Sequence, residues 1–405
     1  MTPDFDCVVI GGGPAGAIAA TDLAQSGRRV LLLDRGGRIK PCGGAIPPRA
    51  IADFAIPEHL LVARATSARM VAPSAKVVDM PVGDGFVGLV DRADFDEWLR
   101  ARAAIAGAER LTGRFVRIER DAGHPVVVVR ATRGEAEQRI ATRCVIGADG
   151  ARSEVARTQL VGVPPVPCVF AYHEIIAAPR GGDGDGGGDG GGDRGIDFDP
   201  ARCDVFYQGK HSPDFYAWVF PHGDTASIGV GSARKGFGLR ASVAALRAQT
   251  GLDACETLRC EGAPIPLKPL KRWDNGRDVL VAGDAAGVVA PASGEGIYYA
   301  MAGGRYAAEA IEAYLATGKA AALRQARKRF LRAHGRVFWI LGILQYFWYA
   351  NDKRRERFVK MCADPDVQRL TWDAYMHKRL VRAEPAAHLR IFLKDMRHLL
   401  GLAPA

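Results

Sequence analysis

The first third of the chain begins with a regular order of apolar and polar positions. Residues 7–10 are continuously apolar, residues 17–26 carry apolar side chains at helical spacing, and residues 29–33 form a second apolar run. Short apolar runs are typical of buried strands, whereas a 3.6-residue period is typical of a helix. The pattern predicts a strand, a helix that ends near Gly27, and a second strand.

Three glycines connect the first strand to the helix. Gly11, Gly13 and Gly16 occupy the positions of a GxGxxG pattern, and Asp34 follows the second strand 18 residues after Gly16. In such a turn the first glycine bends the chain, the second admits a pyrophosphate, and the third lets the helix pack on the strand. The helix N-terminus faces the phosphates, and the acid accepts ribose hydroxyls. The sequence therefore predicts a dinucleotide site, without distinguishing FAD from NAD(P).

Two later apolar runs also end in turns that contain glycine and aspartate. The first is followed by Asp149 and Gly150, and the second by Gly283 and Asp284. Either segment alone would be an ordinary junction between a strand and a turn. Together, and in this order, they resemble segments of the FAD-dependent family that includes the aromatic hydroxylases.

This resemblance implies FAD as the cofactor. It assigns the ribityl hydroxyls to Asp284 and places Asp149 and Gly150 near the cofactor. A helix that starts at Ile297 presents free backbone N–H groups, which would stabilise an anionic reduced flavin ring; the alternative is a simple amphipathic helix. The residues assigned to the cofactor are Gly11, Gly13, Pro14, Ala15, Gly16, Asp34, Arg35, Cys42, Gly43, Gly44, Arg92, Asp149, Gly150, Gly283, Asp284, Gly294, Gly296 and Ile297.

Arg92 belongs to this set because the segment around it resembles a family segment in which an arginine near the cofactor opens a helix. The alternative for Arg92 is a solvated surface charge.

An aromatic stretch lies further along the chain. Alternation of period two between Pro213 and Pro221 places Tyr216, Trp218 and Phe220 on one face of a strand. Three aromatic side chains on one face form either a core layer or a wall of a ligand site. The stretch matches the PxxYxWxFP pattern of the geranylgeranyl reductase family. The loop from Lys40 to Pro48 (KPCGGAIPP) is similar to the chlorophyll branch of that family.

The resemblance implies an enzyme that saturates isoprenoid double bonds. Its reductant would be NADPH, and its substrate would be geranylgeranylated chlorophyll or bacteriochlorophyll, or free geranylgeranyl diphosphate, whose tail becomes phytyl. We identify no second nucleotide-binding unit of strand, GxGxxG turn and helix, so the nicotinamide would bind transiently or at other elements. The alternatives are a prenyl-lipid saturase of the same family, a flavin monooxygenase, and a non-catalytic carrier of pigment or prenyl lipid.

The chemistry of such a reduction agrees with an aromatic pocket. An isolated trisubstituted alkene is not an electrophile, so protonation must develop cation character before hydride from flavin N5 can add. Aromatic faces stabilise such a cation by roughly 0.5–2 kcal/mol each when desolvated, and a dry pocket prevents its hydration. We therefore assign Tyr216, Trp218, Phe220 and Pro221 to the substrate. Cys42, Tyr216 or a water is the candidate proton donor, and the alternative for Cys42 is an inert buried thiol.

The resemblance also implies an α/β fold with a discontinuous Rossmann-like FAD domain, a substrate domain built on an antiparallel sheet, and a C-terminal helical region. The expected segments are 1–70, 88–160 and 273–320 for the first, 71–87 and 161–272 for the second, and 321–405 for the third. Residues 181–195 are almost entirely Gly and Asp and predict a flexible loop, because they cannot bury apolar area. The regular pattern of calcium-binding repeats is absent there, and no metal site is predicted.

An apolar, aromatic stretch covers residues 337–350. Its 14 residues are too few for a membrane span, which needs about 20. Basic residues flank it on both sides, and Trp339, Tyr346, Trp348 and Tyr349 are of the types enriched at bilayer interfaces. The pattern predicts a helix lying in an anionic membrane surface; the alternative is a core helix that covers the substrate channel.

Charge and cysteine content indicate the kind of partner and the cellular compartment. The net charge of +10, from 55 basic and 45 acidic residues, favours anionic partners, although no nucleic-acid recognition module is visible. Eight cysteines without metal-type spacing indicate reduced intracellular thiols. Because the nucleotide fold begins within ten residues of Met1, no signal or transit peptide is expected. The predicted location is peripheral, on the cytoplasmic side of a photosynthetic membrane.

Overall fold

The computed structural model of the protein describes residues 3–36, 39–130, 136–179 and 197–378. The Gly/Asp-rich loop predicted at 181–195 lies outside the described residues. So does the last part of the predicted C-terminal region, from residue 379 onward.

Strands within these ranges are numbered in chain order. They are β1 Phe5–Ile10, β2 Val30–Asp34, β3 Ala45–Ile46, β4 Leu61–Ala65, β5 Ser67–Val71, β6 Val77–Pro81, β7 Val87–Val90, β8 Glu109–Thr112, β9 Arg114–Asp121, β10 His124–Arg130, β11 Glu137–Gly147, β12 Cys168–Ala177, β13 Arg202–Phe206, β14 Ala217–His222, β15 Thr225–Ser232, β16 Thr257–Pro266 and β17 Val279–Val281. The predicted strands at 7–10 and 29–33 correspond to β1 and β2.

Helices are numbered in the same way. They are α1 Pro14–Gln25, α2 Pro48–Phe54, α3 Arg92–Ile105, α4 Glu154–Gln159, α5 Leu239–Thr250, α6 Ile297–Thr317, α7 Arg324–Trp348, α8 Asp352–Met361 and α9 Pro365–His377. Short 3₁₀ turns occur at Glu58–Leu60, Gly283–Ala286 and Ala320–Leu323. The two helices predicted before Gly27 and from Ile297 are therefore confirmed as α1 and α6.

The chain folds into two compact units. Unit 1 comprises Met1–Lys40, Arg92–Cys168 and Pro264–Leu341, and unit 2 comprises Pro41–Asp91, Val169–Ala263 and Gly342–Ala405.

These units divide the chain at other residues than the predicted segments. Residues 88–91, predicted for the FAD domain, lie in unit 2, and residues 161–168, predicted for the substrate domain, lie in unit 1. Residues 41–70, predicted for the FAD domain, lie in unit 2, because β3, β4 and β5 pair with strands of that unit. Residues 264–272, predicted for the substrate domain, and 321–341, predicted for the C-terminal region, lie in unit 1.

Unit 1 is built on a sheet with the order β8-β2-β1-β11-β10-β9, and β17 also pairs with β11. Strands β8, β2, β1, β11 and β17 run parallel, whereas β10 pairs antiparallel with both β9 and β11. Among the parallel strands, β1, β2 and β17 are mostly apolar, as expected for strands that helices cover; Cys7, Val8 and Val9 are fully buried. Helix α1 packs against α3 and α6. The predicted Rossmann-like α/β unit is confirmed.

Unit 2 contains a seven-stranded sheet with the order β16-β12-β15-β14-β13-β5-β6. The pairs β12/β15, β15/β14, β14/β13 and β5/β6 are antiparallel, but β13 and β5 are parallel. The predicted antiparallel sheet is therefore a mixed one, because the long connection from β5 to β13 lets the chain return in the same direction. Helix α5 packs on β15, where Val230, Val243 and Leu246 are part of a buried cluster. A second sheet has the order β3-β7-β4.

The last described elements are helices. Helix α7 is 25 residues long and contains most of the aromatic stretch noted in the sequence. Within the ranges given above, none of the helices is both long and apolar enough to cross a membrane.

Candidate functional site

The turn between β1 and α1 forms a cradle of glycines. Gly11 has a φ of +108°, and a Cβ there would lie 2.3 Å from the carbonyl oxygen of Ala148. A Cβ on Gly16 would lie 1.8 Å from the carbonyl oxygen of Gly11. By contrast, a Cβ on Gly13 would meet no atom within 4 Å. Two glycines are thus required by packing, and the third opens onto free space where a pyrophosphate fits the turn. Pro14 takes the first position of α1, where its missing N–H is not needed.

Asp34 lies at the end of β2, beside this turn. Its Oδ2 accepts the Gly12 N–H at 2.6 Å, and its Oδ1 accepts the Gly36 N–H at 3.1 Å. These bonds fix the carboxylate next to the glycine turn, as the position of a ribose ligand requires. Arg35 follows Asp34 and is exposed. Arg100 of α3, which the sequence analysis missed, donates to the Gly12 carbonyl at 3.4 Å.

The turn that contains Asp149 and Gly150 follows β11, and its aspartate also caps the start of α4. The Asp149 carboxylate accepts from Ser153 Oγ at 2.5 Å and from the Glu154 N–H at 2.8 Å. Burial raises the pKa of Asp149, although these hydrogen bonds act in the opposite direction. Gly150 has a φ of +89° and open space at its Cβ position. The structure thus explains Asp149 as a cap of α4, and its role toward FAD stays a prediction.

The turn that contains Gly283 and Asp284 follows β17, and Asp284 lies near the start of α6. A Cβ on Gly283 would lie 2.6 Å from the Ala15 Cβ, so this glycine allows close packing on α1. Asp284 is buried and forms an ion pair with Lys40. A Cβ on Gly296 would lie 3.9 Å from Asp284 Oδ1, which places this carboxylate beside the N-terminus of α6.

The start of α6 has the form that the resemblance implies. Gly296 is the N-cap residue of the helix that begins at Ile297, and as a glycine it has no side chain that could cap the first turn. The backbone N–H groups of this turn, together with Asp284, suit the polar edge of a bound ring system. Gly294 has a φ of +66°, which bends the chain into the helix.

Lys40 is a second residue that the sequence analysis missed as a site residue. The sequence signal for Lys40 was its position at the start of the KPCGGAIPP loop. Its partner, the carboxylate of Asp284, lies 244 residues later in the chain. Only the tertiary structure joins the two.

Arg92 occupies the first position of α3. It is almost fully buried and forms two hydrogen bonds to Asp96, Nε–Oδ1 at 2.8 Å and Nη2–Oδ2 at 2.7 Å. The alternative of a solvated surface charge is therefore wrong, because the i, i+4 spacing puts both residues on the buried face of α3. Its role toward FAD stays a prediction.

In unit 2, the loop that begins at Pro41 lies against the aromatic strand β14. A Cβ on Gly43 would lie 2.9 Å from Phe220 Cδ2 and 3.9 Å from Trp218 Nε1. Gly44 has a φ of +70°, and its Cβ would lie 2.4 Å from the Val90 carbonyl oxygen. Cys42 Sγ accepts the Gly44 N–H at 3.4 Å. The structure thus joins two motifs that lie far apart in the chain into one cluster, and this cluster leaves no room for side chains at Gly43 and Gly44.

The three predicted aromatic residues form a continuous row. Ring centroids are 6.0 Å apart for Tyr216 and Trp218, and 6.3 Å apart for Trp218 and Phe220. Tyr216 lies just before β14, and Phe215 stacks on it at 4.2 Å. Pro221 is buried in the same strand. The row is therefore largely buried, as the core alternative predicts, and its role as a wall of a ligand site stays a prediction.

Tyr216 was named as a substrate contact and as a candidate proton donor. Burial raises its pKa well above that of an exposed tyrosine. The phenol is therefore a weaker acid than in water, which counts against it as a donor. The catalytic assignments of Cys42 and Tyr216 stay predictions.

His222 is the last residue of β14 and lies beside Gly44. Its pKa responds to burial in this cluster. A Cβ on Gly44 would lie 2.8 Å from His222 Nε2. Burial lowers the pKa of His222 to about 4. Because this value is below the ordinary value near 6.5, the unfolded chain binds the proton more tightly, and stability falls as the pH drops from 6.5 toward 4.

We expect this loss to reach at most about 3 kcal/mol at pH 4. The variant His222→Gln should remove that part of the pH dependence, as measured by urea unfolding at pH 6.5 and pH 4.5. The exposed Leu258 offers the control Leu258→Ser, which should leave the pH dependence unchanged because it alters no titratable group. An identical pH dependence in wild type and His222→Gln would contradict the prediction.

Fold and turn geometry define a dinucleotide-binding protein, and comparisons with known proteins identify it as an oxidoreductase. The family model described as pyridine nucleotide-disulphide oxidoreductase matches residues 5–174. The geranylgeranyl diphosphate reductase of Rhodobacter capsulatus is 56% identical over 400 residues, which cover 99% of this chain and 98% of that protein. The enzyme of the same name from Synechocystis sp. is 34% identical, with 98% of each chain covered. The chain therefore belongs to the geranylgeranyl diphosphate reductase family.

A solved structure gives the same result for the fold. The crystal structure of a geranylgeranyl bacteriochlorophyll reductase-like protein from Thermoplasma acidophilum superposes with a TM-score of 0.76 at 21% identity, and 95% of this chain and 99% of that chain are covered. The prediction of an FAD-dependent oxidoreductase of this family is confirmed, and NADPH as the reductant is consistent with it.

Proposed function

We propose that this protein reduces the double bonds of a geranylgeranyl chain and thereby converts it to a phytyl chain. The observation that carries the proposal is the cluster in unit 2, where the Cys42–Gly44 loop lies against the aromatic row of Tyr216, Trp218 and Phe220. The long, apolar isoprenoid chain of the substrate requires such a surface. The relatives named above, which are geranylgeranyl diphosphate reductases, support the same substrate class.

Each part of the chain has a defined task in this reaction. FAD bound in unit 1, once reduced by NADPH, would supply the hydride for each double bond, and the second hydrogen would be added as a proton. The glycine turn, Asp34 and the start of α6 bind and orient the cofactor in unit 1. In unit 2 the aromatic row binds the isoprenoid chain, excludes water and stabilises positive charge that develops on the alkene carbons.

The substrate is tested by incubating the purified protein with NADPH and either geranylgeranyl diphosphate or a geranylgeranylated bacteriochlorophyll. We propose the pigment ester and the free diphosphate as the candidate substrates. Mass spectrometry should show successive additions of two hydrogens to the tail, up to three times. Oxygen consumption in proportion to substrate would instead indicate a monooxygenase. A protein that retains FAD but saturates neither substrate would contradict the proposal.

We further propose that the protein associates peripherally with an anionic membrane, on the cytoplasmic side of a photosynthetic membrane. Trp339, Ile343 and Tyr346 are 69%, 47% and 85% exposed. Their spacing of four and three residues places them on one face of α7. Arg332 and Arg336 on the same helix are exposed and suit anionic headgroups.

Part of the aromatic stretch points inward instead. Trp348 and Tyr349 are buried, and Tyr349 packs against Tyr207 with ring centroids 5.3 Å apart. Arg355, one of the flanking basic residues, is also buried and donates to the Tyr349 carbonyl at 2.7 Å. These residues cannot contact a bilayer, because the end of α7 and the start of α8 pack into unit 2. The core alternative thus accounts for the end of the stretch, and the membrane proposal concerns only its exposed part.

The membrane proposal predicts binding to vesicles that contain anionic lipid. Replacing Trp339 and Tyr346 together by serine should reduce co-sedimentation about tenfold or more, because it removes two interfacial aromatic anchors. High salt should weaken the binding of the unaltered protein. The exposed Leu258 on β16 offers the control Leu258→Ser, which should bind normally. Equal binding of the double variant and wild type would contradict the proposal.

A further inference from the structure

A line of polar side chains runs through the buried part of unit 2 and ends on the indole of Trp218. Trp218 Nε1 donates to Ser227 Oγ at 3.2 Å, and Ser227 Oγ lies 2.9 Å from His173 Nδ1. His173 Nε2 lies 3.0 Å from Glu261 Oε2. Ser227 and His173 are almost fully buried. No task described so far uses this line.

With a neutral imidazole at His173, the donors and acceptors at the two ends of the line assign a direction to each hydrogen bond. Glu261 is ion-paired with Arg259 at 2.5 Å, so its carboxylate acts as an acceptor. A neutral His173 therefore carries its proton on Nε2, which leaves Nδ1 as an acceptor for the Ser227 hydroxyl. Ser227 oxygen then accepts from Trp218, since an indole N–H can only donate. Every N–H and O–H of the line is used within it.

The sheet places these groups side by side. In the pairing of β14, β15 and β12, both Trp218 and His173 lie opposite Gly229, on its two sides. Their ring centroids are 6.3 Å apart. A Cβ on Gly229 would lie 2.1 Å from Trp218 Cζ2, so the indole lies directly on the backbone of β15. The backbone at Gly229 thus packs against the indole ring, and Ser227 accepts the hydrogen bond from the indole N–H.

We propose that Ser227, His173 and Glu261 are positioning residues that hold the Trp218 ring as a wall for the isoprenoid chain. This inference rests on the proposed function. The tether stops rotation of the ring and satisfies its N–H inside the protein. The substrate then meets π surface rather than a free donor, and such a surface recruits no water to a developing cation. The line thus favours hydrocarbon chains as ligands.

A double-mutant cycle separates positioning from general packing. Ser227→Ala removes the acceptor for the indole, and we expect about a fivefold fall in kcat, the effect of one lost hydrogen bond. In a Trp218→Phe background no N–H remains to be held, so the same substitution should change kcat less than twofold. A purely structural role of Ser227 would lower kcat by the same factor in both backgrounds, and that result would overturn the proposal.

A second pair of variants tests the far end of the line, where Glu261 is partly exposed and substitution is easier to tolerate. Glu261→Gln keeps an oxygen that accepts from His173 Nε2 and should retain wild-type turnover. Glu261→Leu removes the acceptor and should lower kcat about two- to threefold, because His173 is then free to change tautomer. Equal turnover of these two variants would show that the line does not extend to Glu261.

A readout independent of turnover uses the indole itself. The contribution of Trp218 to near-UV circular dichroism is the difference between wild type and Trp218→Phe. It should shrink in Ser227→Ala, because an untethered ring samples several orientations. An unchanged signal would overturn the proposal. If wild-type protein saturated no prenyl substrate, the proposed function would fail, whereas this signal would still report whether Ser227 holds the ring.

Discussion

Replacing Gly13 by valine is expected to abolish FAD binding while the protein remains folded. Gly13 has a φ of −75° and no atom within 4 Å of its Cβ position, so a side chain strains nothing in the protein. It would fill the space through which the backbone approaches the pyrophosphate. We expect affinity for FAD to fall by at least about 100-fold, or about 3 kcal/mol. Isothermal titration with FAD and the flavin absorbance of purified protein measure this loss.

Two other glycines provide the controls. Gly342 in α7 also has no neighbour within 4 Å of its Cβ position, and Gly342→Val should retain FAD. Gly16→Ala should instead destabilise the fold, because its Cβ would lie 1.8 Å from the Gly11 carbonyl oxygen. Circular dichroism melting distinguishes these effects. A Gly13→Val protein purified with one FAD per chain would show that no phosphate approaches this glycine.

Replacing Trp218 by leucine is expected to cause the largest loss of turnover at an intact cofactor site. Leucine keeps an apolar side chain on Gly229 but removes the aromatic face. One desolvated aromatic face stabilises a cation by up to about 2 kcal/mol, so kcat should fall about 30-fold. Prenyl saturation under NADPH, followed by mass spectrometry, measures this change. FAD content is measured in parallel, and a wild-type level would show that the loss of turnover does not come from loss of the cofactor.

Trp339 offers a matched control, since it is the same residue type but 69% exposed. Trp339→Leu should retain turnover on detergent-dispersed geranylgeranyl diphosphate and bind anionic vesicles less well. Trp218→Leu should lose turnover on the same substrate but bind anionic vesicles as well as the wild type does. A similar loss of turnover in the two variants would mean that Trp218 contributes bulk hydrophobicity rather than an aromatic face.

Local signals in the sequence were sufficient for the cofactor unit. The strand, glycine turn, helix, strand and Asp34 lie within about 30 residues, so their mutual geometry follows from short-range backbone constraints. The structure confirms these elements to within a few residues. The period-two pattern of Tyr216, Trp218 and Phe220 also predicted a shared face, since side-chain direction along a strand depends only on the alternation of the backbone.

Pairings between distant segments were beyond the reach of these local signals. The sequence does not show that Asp284 pairs with Lys40, that Arg92 is buried with Asp96, or that Trp348 points inward while Trp339 faces solvent. It also did not indicate the parallel pairing of β13 with β5, or the line from Glu261 to Trp218. Each of these depends on strand order and on which helix face is covered.

The sequence by itself thus determined the dinucleotide turn, the FAD-dependent family and the aromatic strand, because each is encoded in contiguous residues with characteristic spacing. The tertiary structure alone decided which charges are buried in pairs and which aromatic residues of α7 are exposed. It also placed the KPCGGAIPP loop, where Gly43 and Gly44 allow the backbone to lie against Phe220 and Val90. The physical reason is that burial and close approach depend on packing between segments far apart in the chain, which no local pattern specifies.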